Sequence, residues 1–226
     1  MNFSFLKDYY MFFLEGAKIT IVLSIITIIF GVIFGILFAL MRISHNPILK
    51  SIAAAYIEFI RGTPVMVQLF IVYYGLSEIG IDFPDIYVLG SNFSDLMSGA
   101  IALSINSSAY VAEIIRAGIQ AVDKGQMEAA RSLGLNYSMS MKSIILPQAI
   151  KNILPALGNE FIAIIKESSI VSIIGIHELM YNTETVRGNT FIPFEPLLVT
   201  AAIYFIITFT LSTIVRAFER RLKTSD

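Results

Sequence analysis

Long apolar stretches separated by short polar segments make up most of the chain. A membrane-spanning helix needs about 20 predominantly apolar residues. Five stretches reach that length: 17–41, 51–76, 95–121, 149–175 and 196–217. The pattern therefore predicts an all-α membrane protein, with five transmembrane helices in one transmembrane domain covering residues 1–226. An odd number of spans places the two termini on opposite sides of the membrane.

The residues before the first span alternate between aromatic and polar side chains, in the sequence MNFSFLKDYYMFFLEG. They lack the basic segment and the small-residue cleavage site of a signal peptide. Amphipathic segments with many aromatic rings lie at the level of the lipid headgroups. We therefore expect residues 1–15 to form a short interfacial helix.

The composition supports a membrane protein. Hydrophobic residues make up 56% of the chain, charged residues make up 15%, and the mean hydropathy is +0.74. A soluble domain carries about a quarter charged residues. The chain has no cysteine, and its two histidines, His45 and His177, stand apart without the spacing of metal ligands. We therefore expect no metal site. A nucleic-acid partner is not expected either.

The distribution of charge predicts the orientation. If the N-terminus lies outside, the outer segments hold three basic residues, Lys7, Lys18 and Arg187, and nine acidic ones. The inner segments then hold four acids, among them Asp226, and ten bases: Arg42, Lys50, Lys124, Arg131, Lys142, Lys151, Arg216, Arg220, Arg221 and Lys223. Basic residues concentrate on the cytoplasmic side of membrane proteins. The N-terminus is therefore predicted outside and the C-terminus in the cytoplasm.

The segment 124–147, between the third and fourth spans, has the pattern of a water-facing helix. Within Gln126–Leu133, an apolar stripe contains Met127, Ala130 and Leu133. Glu128 and Arg131 have the spacing of a helical ion pair. Gly134 is expected to end this helix in a left-handed conformation, and Pro147 to begin the next membrane helix. A helix that rests on lipid headgroups has the same pattern.

The same segment resembles the EAA signature of ATP-binding-cassette (ABC) importer permeases. Its elements are Glu128-Ala129-Ala130, Gly134 after three residues, Ile144 after nine more, and Leu146-Pro147. The stretches AYVAEIIRAGIQAVDKGQMEAARSLGL and FIRGTPVMVQL are similar to the subfamily that imports polar amino acids. The resemblance covers about residues 12–222.

The resemblance implies the type I ABC importer permease fold in a bacterial cell membrane. It further implies a dimer, formed with an identical copy or a homologue, around a translocation path. An extracytoplasmic binding protein would deliver the amino acid, and the short cytoplasmic helix would dock on a separate ATPase. The residues expected to couple to the ATPase are Met127, Glu128, Ala129, Ala130, Arg131, Leu133 and Gly134.

The chain is not expected to be an enzyme or to hold a cofactor. It contains no G-x-x-x-x-G-K-[ST] phosphate loop and no nucleophile-elbow pattern. ATP and Mg²⁺ would therefore be bound by the partner ATPase.

Ionisable residues inside spans are costly and suggest function. Glu58 with Arg61, and Glu113 with Arg116, have the spacing of ion pairs along one helix. Glu160 lies about ten residues into its span, near mid-membrane, and no cation is three or four residues away. It is expected either to contact substrate or to bond to another helix.

The second span is interrupted by Gly62-Thr63-Pro64. Broken helices in transporters bind substrate near the midplane. Thr63 is expected to cap the restarted helix, with Gln68 lining the same cavity; the alternative is a simple packing kink.

Polar residues elsewhere in the spans have two interpretations, pore lining or contacts between helices. The spacing of Gly31 and Gly35 favours close helix packing. The candidate substrate-binding residues are Glu160, Glu58, Asp85, Gln68, Asn106, Ser107 and Ser24.

The predicted function is therefore ATP-driven import of a polar L-amino acid. A basic one is favoured because the outer segments and the spans carry an excess of acids, which concentrates cations. Glutamine or another neutral polar amino acid is the alternative. A secondary transporter is a third possibility, although it would be expected to show inverted repeats and more spans. The outer loop 176–195 either gates access or only contacts the binding protein.

Overall fold

The computed structural model describes residues 1–223, so Asp226 lies outside the described residues. The helices are α1 Leu6–Ile43, α2 Pro47–Arg61, α3 Val65–Glu78, α4 Phe93–Gln120, α5 Lys124–Ser132, α6 Tyr137–Ser140, α7 Leu146–Glu167, α8 Leu179–Thr190 and α9 Glu195–Lys223. A π-helical turn, Met141–Ile145, precedes α7, and a 3₁₀ segment, Ser168–Ile174, follows it. Strands β1 Tyr87–Val88 and β2 Ser91–Asn92 pair antiparallel as a small hairpin.

Helix α1 is a single helix of 38 residues. At 1.5 Å per residue it is about 57 Å long, which exceeds the roughly 30 Å of a bilayer's hydrocarbon core. The separate interfacial helix expected over residues 1–15 is not present as an element, because these residues enter α1 at Leu6. Gly16 does not end the helix; it lies against α8, where a Cβ atom would come within 2.7 Å of the Leu179 Cα atom.

The break in the second span is confirmed, since α2 and α3 are bent by 107°. Thr63 acts differently from the prediction. Its hydroxyl donates to the Phe59 carbonyl at 3.0 Å and so closes the end of α2. Helix α3 has Pro64 at its N-cap, without a side-chain hydrogen bond.

Judged by length and apolarity, two helices of the described chain can cross a membrane unaided, Leu6–Ile43 and Glu195–Leu222. The bent pair α2 and α3 adds a third span if it is counted as one. The predicted spans 95–121 and 149–175 correspond to α4 and to α7 with its 3₁₀ extension. Helix α4 is less apolar because its buried face carries polar residues such as Asn106 and Ser107.

Helix α4 lies at the centre of the bundle, with α1, α2, α3 and α7 packed against it. The predicted close packing at Gly31 and Gly35 is confirmed. A Cβ atom on Gly31 would lie 2.7 Å from the Ser107 Oγ atom, and one on Gly35 would lie 2.5 Å from a Val111 methyl group. Small residues let two membrane helices approach closely. The α1–α4 contact therefore fixes where Ser107 sits.

The predicted outer loop 176–195 is largely folded. Its start follows Gly175, which ends the 3₁₀ segment in the left-handed conformation with φ at +87°. Helix α8 then packs against α1 and α9. Asn2 donates its backbone N–H to Glu195 at 3.0 Å, so α1 and α9 begin side by side at this end of the bundle. We call it the predicted outer end.

Candidate functional site

A partly buried carboxylate on α7 is the centre of the candidate site. The Ser107 hydroxyl, on α4, donates to Glu160 Oε1 at 3.2 Å. The other carboxylate oxygen, Oε2, accepts no hydrogen bond from the described residues. No ion pair to Glu160 is found within residues 1–222 either. The predicted interhelical bond is therefore present, and one oxygen stays available to a ligand.

An amide pair lies beside this carboxylate. Asn106, the neighbour of Ser107 on α4, donates to Gln68 Oε1 at 2.9 Å. Gln68 in turn donates its amide hydrogens to the Ile60 carbonyl at 2.7 Å and to Thr63 Oγ1 at 2.9 Å. Gln68 and Asn106 are each only 5% exposed. Their contacts correspond to the interpretation as bonds between helices, because they hold the break between α2 and α3 against α4.

Gln68→Leu is expected to destabilise the break. Leucine has a similar volume but would leave the Asn106 amide without its partner, and the Ile60 carbonyl with only the Thr63 hydroxyl at 3.4 Å. Each buried group left unsatisfied costs about 1–3 kcal/mol. In a thermal denaturation of the purified protein in detergent, the variant should therefore unfold several degrees earlier. Leu76→Ala, at a partly buried position about two turns further along α3, is the control for a general loss of packing. An unchanged midpoint in Gln68→Leu would contradict this structural role.

The predicted coupling segment, residues 124–147, begins with α5. The end of α5 confirms the predicted glycine cap. Gly134 has φ at +86°. Its N–H donates to the Arg131 carbonyl at 3.0 Å, and the Leu135 N–H donates to the Ala130 carbonyl at 3.2 Å. These two bonds form a Schellman motif, in which glycine avoids the cost of a left-handed backbone. The chain therefore leaves α5 in a fixed direction.

The side chains of the apolar stripe on α5 do not all face the same side of the helix. Ala130 is 1% exposed and Met127 is partly buried, so both pack on this chain itself, whereas Leu133 is 83% exposed. Met127 lies in a groove with Met141 and Ile145 of the π-helical turn. Glu128, Ala129 and Arg131 are exposed, and no ion pair joins Glu128 to Arg131 within the described residues. The predicted coupling side chains left open to a partner are therefore those of Glu128, Ala129, Arg131 and Leu133.

The prediction that Pro147 begins the next membrane helix agrees in part with the start of α7. Pro147 lies in the first turn of α7, where its missing N–H is tolerated. The backbone is already helical before it, because the π-helical turn Met141–Ile145 runs directly into α7. The coupling segment and the helix that carries Glu160 are therefore continuous.

Comparison with known proteins gives the family. A model of the binding-protein-dependent transport system inner membrane components matches residues 31–224. The chain belongs to this family of membrane permeases. It is 45% identical over 215 residues to a Rickettsia bellii permease named for glutamine transport, covering 95% of this chain and 94% of that protein. It is 42% identical to the arginine transport system permease protein ArtQ of Bacillus subtilis, with the same two coverages.

A solved structure of an amino acid ABC transporter with histidines matches the permease closely. Its TM-score is 0.88 and its sequence identity is 48%, over 98% of this chain and 100% of the other. The fold is therefore that of an ABC importer permease. The possibility of a secondary transporter has no support from these relatives.

Three candidate residues of the permease do not join Glu160. Ser24 is fully buried on α1 and donates to the Thr20 carbonyl at 2.7 Å. Asp85 is exposed beside the hairpin and accepts from the Asn92 amide at 2.5 Å. Glu58 is exposed on α2.

Of the two ion pairs predicted inside the spans of the permease, only one forms within the described residues. Arg116 donates to Glu113 through two nitrogens, with Nε 2.8 Å from Oε2. Arg61 makes no ion pair with Glu58 within the described residues; its guanidinium lies over the Tyr110 ring, 5.5 Å from the centroid. Arg61 is the last residue of α2. The predicted Glu58–Arg61 pair is therefore wrong.

Two polar residues of the permease were missed. The Tyr56 hydroxyl lies 2.7 Å from Ser108 Oγ and donates to the Ile105 carbonyl at 3.1 Å. Its sequence position, a tyrosine in an apolar helix, carries no signal of that contact. Glu178 is 0% exposed although its position in an outer segment suggested a solvated acid. Glutamate is not among the usual N-cap residues, so its sequence position carries no signal of an N-cap role.

Proposed function

We propose that this chain is the membrane permease subunit of an ATP-driven importer of basic L-amino acids. A second permease copy or a homologue completes the path, and an extracytoplasmic binding protein delivers the solute. A separate ATPase holds ATP and Mg²⁺. Membership in the permease family, with relatives named for arginine and glutamine transport, supports the type of system.

The proposed topology has five spans, with the N-terminus outside and the C-terminus in the cytoplasm. Helices α4 and α7 contain 28 and 22 residues. At 1.5 Å per residue, both exceed the roughly 30 Å hydrocarbon core. The polar residues Asn106 and Ser107 of α4 are buried among the neighbouring helices, so they are covered by protein and not by lipid. The excess of basic residues in the predicted inner segments supports the orientation.

Glu160 is the observation that carries the choice of a basic substrate. A carboxylate near mid-membrane with one uncommitted oxygen and no ion pair within the described residues needs a cationic partner. The ammonium or guanidinium group of a basic amino acid supplies one. Glutamine is the alternative, favoured by the relatives named for its transport, because its amide N–H groups can donate to the same oxygen.

The surface proposed to receive the ATPase consists of the exposed residues Glu128, Ala129, Arg131 and Leu133 of α5 and its C-cap. Leu133 is an exposed apolar side chain beside the glycine cap, and such a residue suits burial in a partner's cleft. Helix α5 instead packs against the π-helical turn, with Met127 in the groove beside Met141 and Ile145. Movement of α5 is therefore expected to reach α7 through that turn.

Leu133→Glu tests the proposed coupling. A buried unpaired charge at this contact is expected to lower the ATPase recovered with the affinity-tagged permease by about tenfold or more. Co-purification from membranes, followed by an ATP hydrolysis assay, measures the effect. Ile79→Glu, which makes the same change at an exposed apolar residue of the predicted outer end, should retain the ATPase. Full recovery with Leu133→Glu would exclude this face as the docking surface.

A further inference from the structure

Glu178 is a fully buried carboxylate at the start of α8, distant in the fold from the coupling segment. Its Oε1 atom accepts from the Tyr181 N–H at 2.8 Å and caps α8. Its Oε2 atom accepts from the Tyr204 hydroxyl of α9 at 3.1 Å and lies 3.5 Å from the Thr20 hydroxyl of α1. Three helices therefore meet at this one side chain.

Contacts around Glu178 hold α8 between α1 and α9. The Leu179 N–H donates to Thr20 Oγ1 at 3.2 Å, and the Asn182 amide donates to the Phe12 carbonyl at 2.8 Å. The hydroxyls of Thr183 and Thr200 are 2.5 Å apart. With this many polar contacts on its inner face, α8 is a docked element and not a free loop.

The other face of α8 forms one wall of a groove at the predicted outer end. Tyr181 and Glu184 line it from α8, and Met66 lines it from the start of α3. The third wall is the 3₁₀ segment, through Ile170, Ser172 and Ile173. That segment continues α7, the helix that carries Glu160. The position of α8 therefore decides whether this groove above the candidate site keeps its shape.

The groups that face Glu178 are polar but not cationic. None of the ion pairs found within the described residues includes it. Helix α1 presents Thr20, α9 presents Tyr204, and α8 presents the Tyr181 N–H. The nearest charged residues along α1, Glu15 and Lys18, are more than half exposed and pair with each other at 3.6 Å. The neighbouring His177 stacks on Tyr181, and burial lowers its pKa, which favours its neutral form.

Burial in this setting raises the pKa of Glu178 to about 7, against the opposing effect of its hydrogen bonds. The sign of the effect follows from linkage. Below the ordinary glutamate pKa, the carboxyl group is protonated whether α8 is docked or released, and docking has its full stability. From the ordinary glutamate pKa up to about 7, release of α8 lets the carboxyl group ionise, so docking weakens as the pH rises; above 7 the docked carboxyl group is itself ionised as a buried unpaired charge, and the loss is complete.

We propose that Glu178 is a positioning residue whose neutral carboxyl group holds α8 against α1 and α9, and whose ionisation releases α8 and opens the outer groove. The assignment of the groove to the route of the solute rests on the proposed function. The pH-dependent docking of α8 does not, and it is tested without transport.

The absence of cysteine in the chain makes thiol labelling specific. Val186→Cys places a thiol on the buried face of α8, and Asn189→Cys places one on its exposed face. Each variant is labelled in membranes with a water-soluble maleimide. Dividing the labelling rate of Val186→Cys by that of Asn189→Cys removes the pH dependence of the reagent itself. The ratio is expected to rise about tenfold between pH 6 and pH 8. In Glu178→Gln it should stay low and flat.

A change in the midpoint distinguishes titration of Glu178 from a purely structural role. Tyr204→Phe removes a hydrogen bond that favours the ionised carboxylate, so the rise should move to higher pH. A purely structural role predicts instead more labelling at every pH. A ratio that is independent of pH with Glu178 present, or that rises equally in Glu178→Gln, would overturn the proposal.

Uptake by the complete importer provides a second readout. With the external pH raised from 6 to 8, uptake should change in the parent and not in Glu178→Gln. If no amino acid is taken up at all, the proposed function fails while the labelling ratio still decides the docking of α8.

Discussion

Glu160→Gln is expected to lower uptake of a basic amino acid by tenfold or more. Glutamine keeps an oxygen that can accept from Ser107 Oγ, so the contact between α4 and α7 survives. What is lost is the negative charge that a cationic substrate would meet. A hydrogen bond to a charged group contributes about 1.5–3 kcal/mol, and 1.4 kcal/mol corresponds to a factor of ten. Uptake of labelled arginine into proteoliposomes loaded with ATP, with the binding protein supplied outside, measures the effect.

The control and the alternative substrate are tested together. Glu78→Gln makes the same change at an exposed position at the end of α3, and should leave uptake near the parent level. Measuring glutamine uptake in parallel separates the two substrate hypotheses. If arginine uptake is unchanged in Glu160→Gln, Glu160 does not contact the substrate. An equal loss for arginine and glutamine would assign Glu160 to the bond between helices and not to recognition of charge.

Features of the fold that depend on a few neighbouring residues were predicted from the sequence. Pro64 cannot continue a helix, and Gly134 tolerates a left-handed backbone, so the break after α2 and the end of α5 follow from local sterics. The spacing of Gly31 and Gly35 likewise predicted a close helix contact. The extension of α1 back to Leu6 was not predicted, because packing of its first turns on α8 and α9 decides where it begins.

The candidate site was only partly predictable because a polar residue in a span has two uses. Burial cost alone identifies Glu160 as unusual. It does not tell whether Gln68 faces a cavity or the carbonyls exposed by a break, since that depends on where α2 ends relative to α3. The direction of Met127 has the same dependence, because the π-helical turn that covers it is a tertiary neighbour. Glu178 was missed since its burial comes from three separate helices.

Alanine at Gly31 is expected to reduce uptake as severely as the loss of Glu160. The added methyl group would lie 2.7 Å from Ser107 Oγ, the atom that donates to Glu160. Helix α1 or Ser107 must move, and Glu160 then loses its fixed orientation. Overpacking of this kind costs about 1–3 kcal/mol in stability. Uptake is therefore to be expressed per assembled complex, so that loss of protein is not counted as loss of transport.

Gly35→Ala is the matched control for Gly31→Ala. Its methyl group would lie 2.5 Å from Val111, so the α1–α4 contact is disturbed to a similar degree one turn away from Ser107. Both variants should lose stability, but only Gly31→Ala should lose uptake per assembled complex. Adding Ser107→Gly to Gly31→Ala removes the clashing side chain, and should restore thermal stability without restoring uptake. Equal residual uptake in the two single variants would mean that Gly31 serves packing alone, because a displaced Ser107 would then have no effect on Glu160.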